Sequence, residues 1–424
     1  MTDQNLKINT VKLLSDFISI QSVSTDTSRH NEILKAAEFL KKELNILGFQ
    51  VSIFQKNSCP PLVIAKKIVS SDTKTIGIYA HYDVQPEDPV EQWESPPFKL
   101  TLKNGKFYGR GVADDKGHII QTLVSISQLI NTKKLNNNIV LIFEGEEEVG
   151  SAHFEELISK VKPPFAKASE GLNKIDVFYM LDFGMEDKNI PEIFWGLRGL
   201  IAFELKVTIG ELDLHSGVYG NQMNNPAQIL SELFSKIKNS QTREILIPGF
   251  YDKVKFISKN NLWLSTKIYP SFDINGIIGG YTGEGTKTII PGSASAKFSF
   301  RLIENQTTDK IEVLVKRFIK NNLPKEVNFS LKTLAKLEPF YTSKENQYLK
   351  ITEKIFKKSF GKKVILTRSG GSIGAAATLS KLFRKPIILT GFTLSDCNLH
   401  SPNENYDEEM FFKGIEVIEN FLLI

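Results

Sequence analysis

Three short stretches limit the fold more than any other feature of the sequence. TIGIYA (75–80), NIVLIFE (138–144) and DVFYML (176–181) are continuous apolar runs rich in β-branched and aromatic residues. A sheet with one wet face would alternate apolar and polar side chains. Unbroken runs belong to strands buried on both faces, as in a mostly parallel sheet covered by helices. Helical spacing supplies the cover. HNEILKAAEFLKKELNILGF places Ile33, Leu34, Ala37, Leu40, Leu44 and Leu47 on one face and offers Gly48 as a C-terminal stop. KGHIIQTLVSISQLI (116–130) is a second helix, set between the first two runs. This part of the chain reads as α/β.

From about residue 200 the texture changes. LIAFELKVTIG and SASAKFSFRLIE alternate apolar and polar residues, the pattern of half-exposed antiparallel strands. Amphipathic helices near 226–238 and 307–321 follow them, giving a strand–helix–strand unit repeated once. After about residue 340 the α/β texture resumes with YLKITEKIFKKSF, VILTR and KPIILTG. The expectation is a catalytic domain of residues 1–196 and 341–424, interrupted at 197–340 by an α+β insert with an antiparallel sheet and two helices. The stretch 162–174 reads as a loop by its prolines, glycine and lysines.

Composition excludes several classes. A chain of 424 residues is long for one core, which favours two domains. The net charge of +5 comes from 53 basic and 48 acidic residues with no basic patch, so nucleic acid is not an expected partner. No apolar run approaches the ~20 residues that span a bilayer, and the first residues lack the pattern of a signal peptide. Cys59 and Cys397 form no disulfide framework, so a cytoplasmic setting is expected.

The ends of the apolar runs carry chemistry. The first ends in His81 and Asp83, the second leads to Glu146, Glu147 and Glu148, and the third reaches Asp182. YGRGVADDKG adds Asp114 and Asp115 in a glycine-rich turn before a helix. In open α/β sheets ligands bind just beyond the carboxyl ends of the strands. Any one of these residues alone would be an ordinary cap or solvated turn. Acids gathered at several buried strand ends repel one another unless a cation neutralises them. The mixture of imidazole and carboxylate suits zinc or manganese better than calcium.

HYDVQP, GRGVADDKG, EGEEEVGS, LDLHSGVYGN and HSPNE, in this order across residues 81–405, resemble the di-zinc metallopeptidase family that contains carnosinase, the cytosolic dipeptidases, aminoacylase and the glutamate carboxypeptidases. HYDVQP, with WESPPF downstream, is closer to the dipeptidase branch. The resemblance implies two divalent ions, Zn2+ first with Mn2+ or Co2+ as alternatives. It makes His81, Asp114, Asp182, Glu148 and His400 the ligands, with Asp114 bridging. It makes Asp83 the carboxylate that orients His81, and Glu147 the general base.

The same resemblance assigns His215, in DLHSG, to the oxyanion of a partner subunit's substrate, which implies a homodimer. Arg301 in KFSFRLIENQ, with Gly371 and Ser372 of SGGSIG (369–374), would hold the substrate's carboxylate. That glycine-rich turn lacks the lysine of a phosphate loop. Glu146 receives no role, and His30, His118 and His153 read as structural. The implied activity is hydrolysis of the amide bond of dipeptides or short peptides. The alternatives are an N-acyl amino acid deacylase of the same family and, from another class, a non-catalytic peptide or amino acid binding protein. A binder would need no base, and Glu147 argues against it.

Overall fold

The computed structural model describes residues 3–160, 174–254 and 267–424. The loop read at 162–174 lies, apart from Lys174, outside the described residues. The chain separates into two compact units. One comprises Met1–Trp195, Thr342–Thr367 and Ile373–Ile424; the other comprises Gly196–Tyr341 and Arg368–Ser372.

The first unit is built on a sheet whose strands run, in spatial order, Gln50–Phe54, Leu62–Lys67, Asn138–Glu144, Thr75–His81, Ile175–Met180, Ile387–Leu389 and Glu192–Leu197. The pairs joining 138–144, 75–81, 175–180 and 387–389 are parallel. Those toward both edges are antiparallel. The sheet is therefore mixed rather than mostly parallel. The physical reason is visible at one edge: a parallel pair needs a crossover of a dozen or more residues, and the connection 55–61 is too short for one.

Every residue of Thr75–His81 and Asn138–Glu144 is buried, as their unbroken apolar runs require. The helix His30–Ile46 buries Ile33, Ala37, Leu40 and Leu44. It stops at Gly48, whose φ of +74° lets the Phe49 N–H reach the Leu44 carbonyl. The helix Lys116–Asn131 is buried from Lys116 through Ile126. It lies so close to the C-terminal helix Glu408–Leu422 that a Cβ on Gly414 would sit 2.3 Å from Gln121 Nε2. Gln121 and Ser125 donate to the Phe411 and Ile415 carbonyls across this contact. Each large aliphatic or aromatic side chain buried this way contributes roughly 1.5–3 kcal/mol.

The second unit has a four-stranded antiparallel sheet in the order Ser271–Gly279, Ser293–Leu302, Gly199–Thr208, Asn328–Leu337. Alternation along 199–208 and 293–302 sorts the side chains. Phe203, Leu205, Phe298 and Phe300 are buried, while Glu204, Lys206, Lys297 and Arg301 take the other positions. The buried face forms one core with the helices Pro226–Ile237 and Thr308–Asn322. Asn225 caps the first helix through the Ala227 N–H, with Pro226 at its first turn. Among the described residues, no helix is long and apolar enough to cross a membrane.

Candidate metal centre

The ends of the parallel strands 75–81, 138–144 and 175–180, together with the turns bearing Asp114 and His400, bring the acids and imidazoles to one place. His81, Asp114 and Asp182 form one group whose ligand atoms lie within 4.8 Å of one another. Asp114, Glu148 and His400 form a second. Asp114 is common to both: Oδ1 lies 2.8 Å from His81 Nε2, and Oδ2 lies 2.9 Å from His400 Nε2. Asp182 Oδ1 stands 3.6 Å from His81 Nε2, and Glu148 Oε2 stands 3.4 Å from His400 Nε2. His81 ends its buried strand, whereas His400 sits exposed in a turn with a left-handed φ of +59°. A non-glycine residue there carries a conformational cost of order 1–3 kcal/mol.

Asp83 is fully buried and does two things. His81 Nδ1 lies 3.1 Å from the Asp83 main-chain carbonyl and 3.4 Å from its Oδ1. Its two carboxylate oxygens accept the backbone N–H groups of Glu147 and Glu148, each at 3.1 Å. One residue thus ties the imidazole to the turn bearing both glutamates. Glu146 accepts from the His153 backbone N–H, and its other oxygen lies 2.9 Å from the His153 ring. This closes the loop behind that turn.

Sequence reasoning missed Glu404, the last residue of HSPNE. It is buried, and its carboxylate accepts from Arg110 Nη1 and from the backbone N–H groups of Gly111, Ala113 and Asp114, at 2.8–3.1 Å. It locks the Asp114 turn to the turn bearing His400. The available signal was a carboxylate and an arginine inside two of the quoted motifs. Asp115 and His118 form a further support. Asp115 accepts the His81 backbone N–H and pairs with His118 Nδ1, while His118 Nε2 accepts from the Phe392 N–H.

The electrostatics fit a cation. Burial, with Asp182 and Asp114 nearby, pushes the Glu147 carboxyl well above its ordinary range against the opposing pull of His81. Burial and the Asp114 charge push Glu148 up to about 9. Burial raises Asp182 as well, despite its hydrogen bond to His81. Burial also acts to raise Asp114, but hydrogen bonds from His400 and His81 outweigh it and hold this carboxyl low. Carboxylates so crowded take up protons unless positive charge is supplied. Two ligand groups sharing one carboxylate could hold two divalent ions.

In the second unit, Arg301 Nη1 donates to Ser372 Oγ at 2.8 Å, and Ser372 Oγ donates to the Arg198 carbonyl. Gly371 belongs to the same turn, its carbonyl accepting from the Arg198 N–H. His215 is exposed. Its Nδ1 accepts from the Gly217 N–H at 3.0 Å, which leaves Nε2 as the N–H donor of the neutral ring.

A mixed sheet with imidazoles and carboxylates at its carboxyl edge defines a hydrolase of the metallopeptidase class. The chain belongs to peptidase family M20/M25/M40, whose model matches residues 77–424. It is 29% identical to the Cys-Gly metallodipeptidase dug1 of Schizosaccharomyces pombe, over 96% of this chain and 93% of that one. It is 29% identical to the human Beta-Ala-His dipeptidase, over 97% and 89%. The solved structure of the M20 family metallo-carboxypeptidase Sso-CP2 from Sulfolobus solfataricus superposes with a TM-score of 0.84 at 29% identity, covering 98% of both chains.

Proposed function

We propose that the protein is a dipeptidase that works with two divalent metal ions, zinc in the first instance, as a cytoplasmic homodimer. The observation that carries this reading is Asp114, whose two oxygens face two different imidazoles, each with its own second carboxylate. His81, Asp114 and Asp182 would hold one ion, and Asp114, Glu148 and His400 the other. The names of the relatives, a Cys-Gly and a β-Ala-His dipeptidase, support dipeptides as the substrate class. When bound, such an ion pair lowers the pKa of water toward ~7 and polarises the scissile carbonyl.

The chain's own residues do the rest. Glu147 accepts the proton of the attacking water and returns it to the leaving amine. Asp83 fixes Glu147 and Glu148 through their amides and orients His81. The Arg301 guanidinium, held by Ser372, receives the substrate's terminal carboxylate. His215, donating from Nε2, stabilises the oxyanion in the partner subunit, with 197–340 serving as lid and dimer contact. Turnover of a dipeptide panel by the zinc-loaded protein, beside an N-acetyl amino acid panel, tests this. Preference for the acetylated set, or less than about one metal equivalent by elemental analysis, would overturn it.

A further inference from the structure

We infer that Arg198 is a positioning residue of the substrate-carboxylate pocket, holding the 369–372 turn so that Ser372 presents its hydroxyl to Arg301. This rests on Arg301 being the residue that receives the substrate's carboxylate. No motif in the sequence pointed to Arg198, yet it is buried and fastened to this turn at three points. Its N–H donates to the Gly371 carbonyl at 3.1 Å, its carbonyl accepts from Ser372 Oγ, and its side-chain Nε donates to the Gly370 carbonyl at 2.9 Å. Nη1 donates onward to the Tyr269 carbonyl at 3.2 Å. A guanidinium can bridge two carbonyls set by different segments because its donors form a rigid fork; a lysine ammonium is a single point.

The local sequence WGLRG shows how the side chain is aimed. A Cβ on Gly196 would sit 2.2 Å from the Tyr341 ring, and one on Gly199 would sit 2.6 Å from the Leu337 carbonyl. The backbone on either side of Arg198 is thus pressed against 337–341, where only glycine fits. The arginine between the two glycines projects from this closely packed backbone to the Gly370 and Tyr269 carbonyls.

The Arg301 charge acts on the Arg198 guanidinium, and Asp273 is the carboxylate that acts on both. Burial, followed by the Arg301 charge, draws the Arg198 group down to about 10. By holding the turn that presents Ser372 to Arg301, Arg198 favours substrates with a free carboxylate over capped ones.

The test compares kcat and KM on a dipeptide and on its C-terminal amide, using the full zinc-loaded chain. Arg198→Met is expected to raise KM for the acid about tenfold or more, the scale of one charged hydrogen bond, with kcat nearly unchanged. The preference for acid over amide falls correspondingly, and Arg198→Lys recovers part of it. Ser372→Ala should lower the same preference, and combining it with Arg198→Met should add little further. Equal losses on acid and amide, or additive effects in the double variant, would overturn the inference. If Arg198→Met does not fold, Arg198→Lys reads the same ratio, and an unchanged ratio overturns it. Arg301→Met separates the two readings. If it leaves the acid preference intact, the assignment of Arg301 fails; if it abolishes the preference while Arg198→Met does not, only the role of Arg198 fails.

Discussion

The two sheets of this molecule handle functional side chains in opposite ways. In the first unit the central strands are buried on both faces, so a polar group can surface only at a strand end. His81 is the last residue of its strand, and Glu147, Glu148 and Asp182 follow theirs. In the second unit the sheet buries one face, and Arg301 rises from the other, within its strand, in register with Leu200 and Ser271. One architecture concentrates charge where strands stop, which suits cations. The other spreads single groups across a surface, which suits holding a substrate's peripheral parts.

The sharpest break between the units should appear in turnover. Glu147→Gln is expected to retain metal and fold while losing ~10²–10⁴-fold in kcat, measured alongside elemental analysis. Near-normal activity would remove Glu147 from the role of base. The next effect is on stability. Phe298 is fully buried among Phe203, Phe234, Phe272 and Phe300. Phe298→Ala should destabilise the second unit by ~3–5 kcal/mol with metal stoichiometry unchanged. Calorimetry with metal analysis checks this, and coincident metal loss would mean that the two units fail together.

His215→Ala should bind metal normally and lose ~10²–10³-fold in rate. Mixing it with Glu147→Gln, with exchange of subunits verified, should restore part of the activity. No recovery in mixed dimers would place His215 in its own subunit's site or outside catalysis. Glu404→Gln should weaken metal retention ~10–100-fold against a competing chelator, the usual effect of removing a residue that orients ligands. Retention equal to the parent would make the Arg110–Glu404 pair a structural tie alone.

The smallest effect concerns pH. Half-buried Glu148 and Glu147 and buried Glu144 carry raised pKa values, about 9 for Glu148 and about 8 for Glu144. Between about pH 4.5 and 7 the metal-free folded chain therefore binds more protons than the unfolded chain. Its stability falls as pH rises. His118, lowered to about 3 by burial, opposes this with one group. Above about pH 7, buried Lys116 opposes it too, with a pKa of about 7. Thermal scans after chelation should show a higher Tm at about pH 5.5 than at about pH 7, with added zinc reversing the trend. A Tm that rises with pH in the chelated protein would show that the acids are not crowded.

Much of this fold was legible because burial writes itself into sequence as a pattern. The unbroken runs at 75–80, 138–144 and 176–181 did become fully or mostly buried strands. The alternating pair at 200–210 and 293–304 became neighbours in an antiparallel sheet. The strands Gln50–Phe54, Ser271–Gly279 and Asn328–Leu337 lie at sheet edges, and weakly buried edges leave weak patterns. The reading of a mostly parallel sheet failed because strand direction at the edges follows from connection length and pairing, not from hydrophobicity.

The sequence by itself determined which residue types would be available for the centre, since imidazoles and carboxylates that follow several buried runs crowd together and call for a cation. It could not show that Asp114 turns its two oxygens to two different imidazoles, that Glu404 clamps the Asp114 turn from 290 residues away, or that Arg198 grips the turn carrying Ser372. Those are statements about distances between segments remote in the chain. Periodicity records only whether a residue faces the core or the solvent. Which buried polar group meets which partner is decided by packing, because each must find a hydrogen bond wherever the fold has left one.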